Sequence, residues 1–271
     1  MTTARLAPRT ALFLPASNPR AIEKARGLDA DMIILDLEDA VKPDVKDAAR
    51  AAAVIAAGEG FGDRFCVIRV NGIDAAEHGA DVAAVAGSAS DFVVLPKVER
   101  AEDAARVTKA CGKPLLAMIE TAQGVLAASD IAAVPGVSGL IAGVNDLRVS
   151  LGIPAGAGRE GLSLSLQTVV LAARASEVWA LDGVFNALDD AEGLAAECRH
   201  GRALGFDGKS LIHPGQIAVA ARAFGPSEAE LADARALIAA ASGGAERFRD
   251  RMIETMHVEQ ARALIARSTQ G

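Results

Sequence analysis

Charged and amide residues recur just after short apolar runs of this sequence, and their types suit chemistry on an oxygen-rich anion. Asp36, Glu38 and Asp39 follow one such run, Arg69 and Asn71 end another, and Lys97 follows a third. Glu120 ends a fourth, and Asn145 and Asp146 follow a fifth. Asn186 and Asp189, then Lys209 and His213, continue the series. Glu120 and Asp146 are the candidate metal ligands. Two neighbouring carboxylates suit Mg²⁺, which takes few protein ligands and keeps several waters. The sequence shows no His/Cys cluster of the kind zinc selects. The plainer alternative is that both acids cap helices or pair with arginines.

The remaining members have paired readings too. Asp36 and Glu38 can orient metal-bound water, or form salt bridges with Lys42, Lys46 or Lys97; Asp39 reads as structural. Three neighbouring acids beside a buried strand need cations or water to answer them. Arg69 is a natural clamp for a carboxylate and can stabilise an enolate oxygen, or it bridges to Glu38 or Glu120. Asn71 is followed by Gly72, and Asn-Gly is also a turn signal. His213, just before Pro214, suits a loop-fixing hydrogen bond at least as well as general-base work. His78, His200 and His257 lie in helical stretches. Ser17 has no His/Asp partner in sequence that would make a triad.

Such a series needs a scaffold that brings many strand ends to one place. The chain alternates short apolar runs with longer helical patterns. Strands are expected at 11–15, 31–37, 65–70, 91–95, 114–119, 137–142, 179–185 and 206–210. Helices are expected at 18–28, 44–57, 74–86, 99–110, 121–133, 162–177, 192–204 and 214–224, with a Gly/Pro-rich loop up to about residue 160. No strand alternates cleanly between apolar and polar, as expected of a parallel sheet covered on both faces. Eight βα steps predict a closed TIM (β/α)₈ barrel, whose active site gathers at the strand C-termini. An open doubly wound sheet is the competitor, but no G-x-G-x-x-G turn follows the first strand. The barrel is assigned to residues 1–225. Residues 226–271 form a C-terminal helical extension, with helices at 227–240 and 249–267, that packs on the barrel or on a neighbouring subunit.

Composition sets outer limits. The 271 residues carry 28 basic and 35 acidic side chains, a formal net charge of −7. Without a basic stripe, a nucleic-acid partner is not expected. No apolar stretch is long enough to suggest a membrane span or signal peptide. Cys66, Cys111 and Cys198 are far apart and odd in number, which points to buried thiols in the cytoplasm.

Seven local strings, in this order, resemble the citrate lyase beta-subunit-like family, within the HpcH/HpaI aldolase superfamily and alongside malyl-CoA and citramalyl-CoA lyases. They are ALFLPASNPR (11–20), ILDLEDAVKPDVK (34–46), VIRVNG (67–72), LPKVERAED (95–103), IETAQGV (119–125), GVNDL (143–147) and GFDGKSLIHPGQI (205–217). The resemblance covers roughly residues 9–265. It implies a TIM barrel with Mg²⁺ on Glu120 and Asp146, with Arg69 on the keto-acid part of the substrate and Asp36 and Glu38 near metal-bound water. Asn71 and Lys97 join the substrate-binding set. The implied substrate is a 3-hydroxy-acyl thioester bearing a carboxylate, on coenzyme A or an acyl carrier protein. Cleavage gives a 2-oxo acid, or oxaloacetate, and an acyl-thioester. The implied assembly is a homotrimer or a multiple of it.

Three positions depart from the family pattern. Asn18 stands where an arginine of the carrier-binding face is usual, leaving Arg20 and Lys24 as substitutes. Asn145 stands where an acid is usual. Glu254, in RMIET (251–255), replaces an aspartate that reaches the mouth of a neighbouring subunit, which makes it a further catalytic candidate. Two other functions remain open at this level: a metal-dependent aldolase of free 2-oxo acids, and a noncatalytic barrel serving as subunit or scaffold.

Overall fold

The computed structural model describes residues 6–268. Eight parallel strands close into a barrel in the order β1 to β8, with β8 returning to β1. The alternation runs β1 (Thr10–Pro15), α1 (Pro19–Ala25), β2 (Met32–Asp36), α2 (Lys46–Glu59), β3 (Phe65–Arg69), α3 (His78–Ala86), β4 (Phe92–Leu95) and α4 (Ala101–Cys111). It continues with β5 (Leu115–Ile119), α5 (Ala122–Leu126), α6 (Ala128–Ala132), β6 (Val137–Ala142), α7 (Val144–Ser150), α8 (Ser163–Ala175), β7 (Trp179–Asp182), α9 (Ala191–Leu204), β8 (Gly208–Leu211) and α10 (Ile217–Phe224). Closure is carried by the pairing of Thr10 with Lys209 and Leu12 with Leu211.

Side chains of a strand alternate between its two faces, and that alternation builds two cores. Outward residues such as Ile33, Leu35, Ile68 and Leu115 pack against the helices. Inward residues, among them Met32, Ile34, Val67, Val94, Leu116 and Ile141, fill the barrel. Phe65, Phe92 and Trp179 plug its lower part with ring centroids 5.2–5.4 Å apart. A chain with no tyrosine and few aromatics thus commits three of them to one interior layer. Continuing the inward series by two residues gives Asp36 after Met32 and Ile34, Arg69 after Phe65 and Val67, and Glu120 after Leu116 and Met118. Strand parity therefore aims all three into the mouth.

Three expectations change. The loop expected after β6 begins with α7, whose buried Val144 and Leu147 seat it and whose first turn holds Asp146 near the positive helix end. The expected 121–133 helix breaks at Ala127 into α5 and α6. A side chain on Gly124 would meet the Val98 carbonyl oxygen at 2.5 Å, so this turn needs its glycine.

The third change concerns the extension. Ser227 caps α11 (Glu228–Ala240) through a capping box with Glu230, as its sequence suggests. The expected 249–267 helix is instead a hairpin, β9 (Glu246–Phe248) and β10 (Arg251–Ile253), followed by α12 (Thr255–Ser268). Leu237, Phe248, Ile253 and Ala261 form its own small core. Arg267 near the end of α12 donates to the Asp207 carbonyl at 2.7 Å, which ties the extension to its own barrel at the end opposite the mouth. Among the described residues no helix is long and apolar enough to cross a membrane.

Candidate active site

The strand C-termini open into a cavity of about 410 Å³, lined by Phe13, Asp36, Asp39, Arg69, Met118, Glu120, Asn145, Asp146, Ser210 and others. Arg69 is its organising cation. Its Nε and Nη2 donate to the two Asp36 carboxylate oxygens, each at 2.6 Å. Its Nη1 lies 2.7 Å from Glu38 Oε2, an ion pair without an aligned N–H. The guanidinium sits over the Phe13 ring, 4.9 Å from its centroid, with the Met118 sulfur 3.7 Å from Nη1. The paired carboxylates hold the arginine firmly protonated despite its burial.

The acids divide by environment. Asp36 is buried and also accepts the backbone N–H groups of Glu38 (2.9 Å) and Ala40 (3.2 Å). With four donors on two oxygens it is a fixed anchor for Arg69. Glu38 is buried, and desolvation raises its carboxyl above the usual range despite Arg69 and Lys97. Glu120 is only 4% exposed. Burial, then the neighbouring Glu38 and Asp146, push its carboxyl up to about 7. Asp146 is half-exposed on the first turn of α7. A divalent cation held by Glu120 and Asp146 would favour the ionised form of both carboxylates. Among the described residues no three His, Cys, Asp or Glu side chains form a metal cage; the donor set is oxygen-only, as Mg²⁺ prefers.

Lys97 completes the ring. Its backbone is left-handed at φ 52, unusual for a residue with a side chain. Its N–H donates to Glu120 Oε1 at 2.7 Å. Its ammonium donates to Glu38 Oε1 at 2.7 Å and lies 3.4 Å from Asp146 Oδ2 and 4.0 Å from Asp39 Oδ2. Gly143 makes room for Glu120: a Cβ there would lie 2.2 Å from Glu120 Oε2.

Other sequence candidates are placed elsewhere. Asn71 lines a neighbouring cavity with Glu38 and Lys97, and its amide donates to Leu37 O (3.0 Å) and Asp81 Oδ2 (2.6 Å) and accepts from Lys46 Nζ (2.5 Å). Arg20 and Lys24 are exposed on α1, outside the cavity lining. Glu254 is exposed just before α12, where its N–H donates to His257 Nδ1, and it too lies outside that lining. Lys209 points out through the barrel wall, fully buried, to Asp182 (3.1 Å) and Glu197 (2.6 Å), both also bound by Arg159. His213 Nδ1 accepts the Gly215 N–H, the loop-fixing role. Cys66 and Cys198 are buried with thiols raised to about 12 and about 11, so neither is a nucleophile at neutral pH.

One contributor, Ser210, escaped the sequence reading. Ser210 lines the cavity, and its hydroxyl donates to the Asp182 carbonyl. Asn145 on the first turn of α7 and Asn186 in the loop after β7, both named from the sequence, exchange hydrogen bonds at 2.7 and 3.4 Å. Strand parity could have found Ser210; nothing in the sequence pairs the two asparagines.

Residues 9–214 match the family model described as HpcH/HpaI aldolase/citrate lyase, and residues 164–270 match that of a carbon–carbon bond lyase of the TIM-barrel fold. A (3S)-malyl-CoA thioesterase of Cereibacter sphaeroides is 44% identical over 96% of this chain and 94% of its own. A citrate lyase subunit beta-like protein of Mycobacterium tuberculosis is 37% identical over 95% and 94%. The solved structure of protein CitE from M. tuberculosis with magnesium, acetoacetate and coenzyme A superposes with a TM-score of 0.85 at 35% identity, covering 97% of this chain and 98% of that one. The M. tuberculosis citrate lyase beta subunit with oxaloacetate and magnesium gives 0.73 at 36%, over 81% and 98%.

Proposed function

The chain belongs to the HpcH/HpaI aldolase/citrate lyase family, and from that premise we propose that it is a Mg²⁺-dependent carbon–carbon lyase of a carboxylate-bearing 3-hydroxy-acyl-CoA of the malyl, citramalyl or citryl type. The observation that carries the reading is the pair Glu120 and Asp146, carboxylates that follow the adjacent strands β5 and β6 and line one cavity. The relatives solved with magnesium and with acetoacetate, coenzyme A or oxaloacetate support it.

Glu120 and Asp146 would hold the ion, which supplies Lewis-acid polarisation of substrate oxygens when bound. Glu38, raised by burial and paired with Arg69 and Lys97, accepts the substrate hydroxyl proton. The bond between the hydroxyl-bearing carbon and the neighbouring methylene then breaks. Its electron pair passes to the thioester as an enolate, whose carbon then takes up a proton to give the acyl-thioester, matching the proton that Glu38 accepted. Arg69, fixed by Asp36, stabilises negative charge on the oxygens of the departing 2-oxo acid. Lys97 answers the substrate carboxylate, and Arg20 and Lys24, exposed on α1, are the cations offered to the carrier, coenzyme A. Glu254 joins the mechanism only from a neighbouring subunit of a homotrimer or its multiple, since within one protomer it stands outside the cavity lining. The proposal includes the division into barrel (1–225) and extension (226–271). It also includes a cytoplasmic location, supported by three free, buried cysteines.

One observation favours a second reaction: the 44% identical relative is a (3S)-malyl-CoA thioesterase. Hydrolysis would keep the carbon skeleton and release malate and the free thiol. Incubation of the protein with (3S)-malyl-CoA and Mg²⁺ separates the two. A 2-oxo acid with acetyl-CoA supports lyase chemistry; malate with free thiol, and no 2-oxo acid, replaces it. Turnover of free hydroxy acids would favour the aldolase. Absence of both turnover and Mg²⁺ binding would favour the scaffold.

A further inference from the structure

The two ends of Lys97 engage three different acids. Its N–H holds Glu120 Oε1 at 2.7 Å, and its ammonium spans Glu38 (2.7 Å) and Asp146 (3.4 Å). The left-handed backbone is what makes this double contact geometrically feasible, because it turns the N–H toward β5 while the side chain crosses toward β2 and α7. A strained conformation of this kind persists only where the surroundings impose it. The side chain is 44% exposed, yet its ammonium is drawn to the acids.

We propose that Lys97 is the built-in counter-ion of the metal-free site: its ammonium balances Glu38 and Asp146 and gives way when a divalent cation binds. This rests on the metal assignment made above. One Asp146 carboxylate cannot give full charge to both an ammonium and a divalent ion, so the two cations compete for it. The N–H contact to Glu120 is independent of that competition and keeps the second ligand in place throughout. Displacement also frees the ammonium for the substrate carboxylate, so metal binding prepares the substrate-binding cation. Lys97 is in this sense a positioning residue for the metal site.

The backbone and side-chain parts separate experimentally. Lys97→Gly keeps the N–H and suits φ 52, but removes the ammonium. Lys97→Met removes the charge and keeps the bulk, and Lys97→Arg keeps the charge. Mg²⁺ is titrated calorimetrically into each metal-free protein, and the rise in Tm caused by saturating Mg²⁺ is recorded beside it. Lys97→Gly and Lys97→Met are expected to bind Mg²⁺ about tenfold more tightly than the wild type, with a larger Mg²⁺-induced rise in Tm. Lys97→Arg is expected to stay within about twofold of the wild type. Equal or weaker Mg²⁺ binding in both neutral variants, with the wild type binding normally, overturns the counter-ion assignment alone. Absence of Mg²⁺ binding in every protein, the wild type included, overturns the metal reading and this inference together.

Discussion

Arg69 grips Asp36 through two parallel hydrogen bonds of 2.6 Å, and both residues stand on the inward face at the ends of adjacent strands. The register pairs Asp36 with Arg69 directly, so the fork and the carboxylate meet without bending either strand. A planar guanidinium against a carboxylate is a geometry a lysine cannot copy. Removing the cation leaves a carboxylate that is 1% exposed with only backbone donors. Arg69→Ala is therefore expected to cost about 3–5 kcal/mol in denaturant unfolding. It should abolish most turnover while Mg²⁺ still binds. Arg69→Lys should recover part of the stability and little of the turnover. Full activity in either variant would remove Arg69 from the chemistry.

Glu120 gives a pH prediction with a definite sign. Its folded-state carboxyl titrates near 7, above the model-compound value of 4.5. A raised pKa means that the folded protein binds the proton first, so this group's stabilising contribution is fully present below 4.5 and is lost as pH rises through about 7. Metal-free protein should thus lose stability from this group between those limits. Glu120→Gln, which keeps an acceptor for the Lys97 N–H, should flatten that slope and raise metal-free stability at pH 8 by about 1–3 kcal/mol. The same substitution, and Asp146→Asn, should each weaken Mg²⁺ binding. In the wild type, Mg²⁺ affinity should increase with pH up to about 7, because binding expels the Glu120 proton. Unchanged Mg²⁺ affinity in both variants would end the ligand assignment.

Gly143 tests how closely β5 and β6 must approach at the mouth. A Cβ at this position would lie 2.2 Å from Glu120 Oε2 and 2.4 Å from Glu120 Cβ. The neighbour is a short buried side chain, not a flexible tip, so Glu120 must move. Gly143→Ala is expected to cost about 1–3 kcal/mol by overpacking. Mg²⁺ affinity and turnover should fall together, since the displaced group is the proposed ligand. Circular dichroism separates loss of fold from loss of site: a folded variant with unaltered Mg²⁺ affinity would show that Glu120 is not held by this contact.

Much of this arrangement is written in alternate residues. Met32, Ile34 and Asp36, then Phe65, Val67 and Arg69, then Leu116, Met118 and Glu120, each read as two apolar side chains and one charged one on a common face. The apolar pair fills the barrel and the charged member emerges where the strand ends. The eight-step count follows from the alternation of apolar runs with helical patterns, and the parity of these three strands accounts for Asp36, Arg69 and Glu120. Three features follow from neither. α7 was hidden because Gly143 and the following glycines resemble a loop, although Val144 and Leu147 already mark its buried side. The β9–β10 hairpin sits in a stretch whose charges suit a helix surface, and only the small core around Phe248 and Ile253 decides otherwise. Asn71 carries the inward parity of Arg69, but its amide is captured by Asp81, Leu37 and Lys46, partners from other segments that no local reading brings together.

Lys209 shows the same parity acting in the opposite direction, and it separates strand position from strand face. Ser210 lines the mouth, so Lys209 beside it points outward into the helix layer, where it is fully buried. There it meets Asp182 at 3.1 Å and Glu197 at 2.6 Å, while Arg159 reaches the same two acids from the loop before α8. The Lys209 and Arg159 cations hold Asp182 ionised despite complete burial, below the usual carboxylate range. Lys209→Met leaves two acids sharing one arginine and is expected to lower unfolding stability by about 3–5 kcal/mol. Because a depressed carboxyl gives stability that is lost as pH falls, a network intact in the wild type should also resist acid better than the variant. Turnover per folded molecule and Mg²⁺ affinity should stay within about twofold at neutral pH, since no atom of Lys209 faces the cavity. A large loss of activity in fully folded Lys209→Met would return this lysine to the mouth, where its place near a strand end first suggested it.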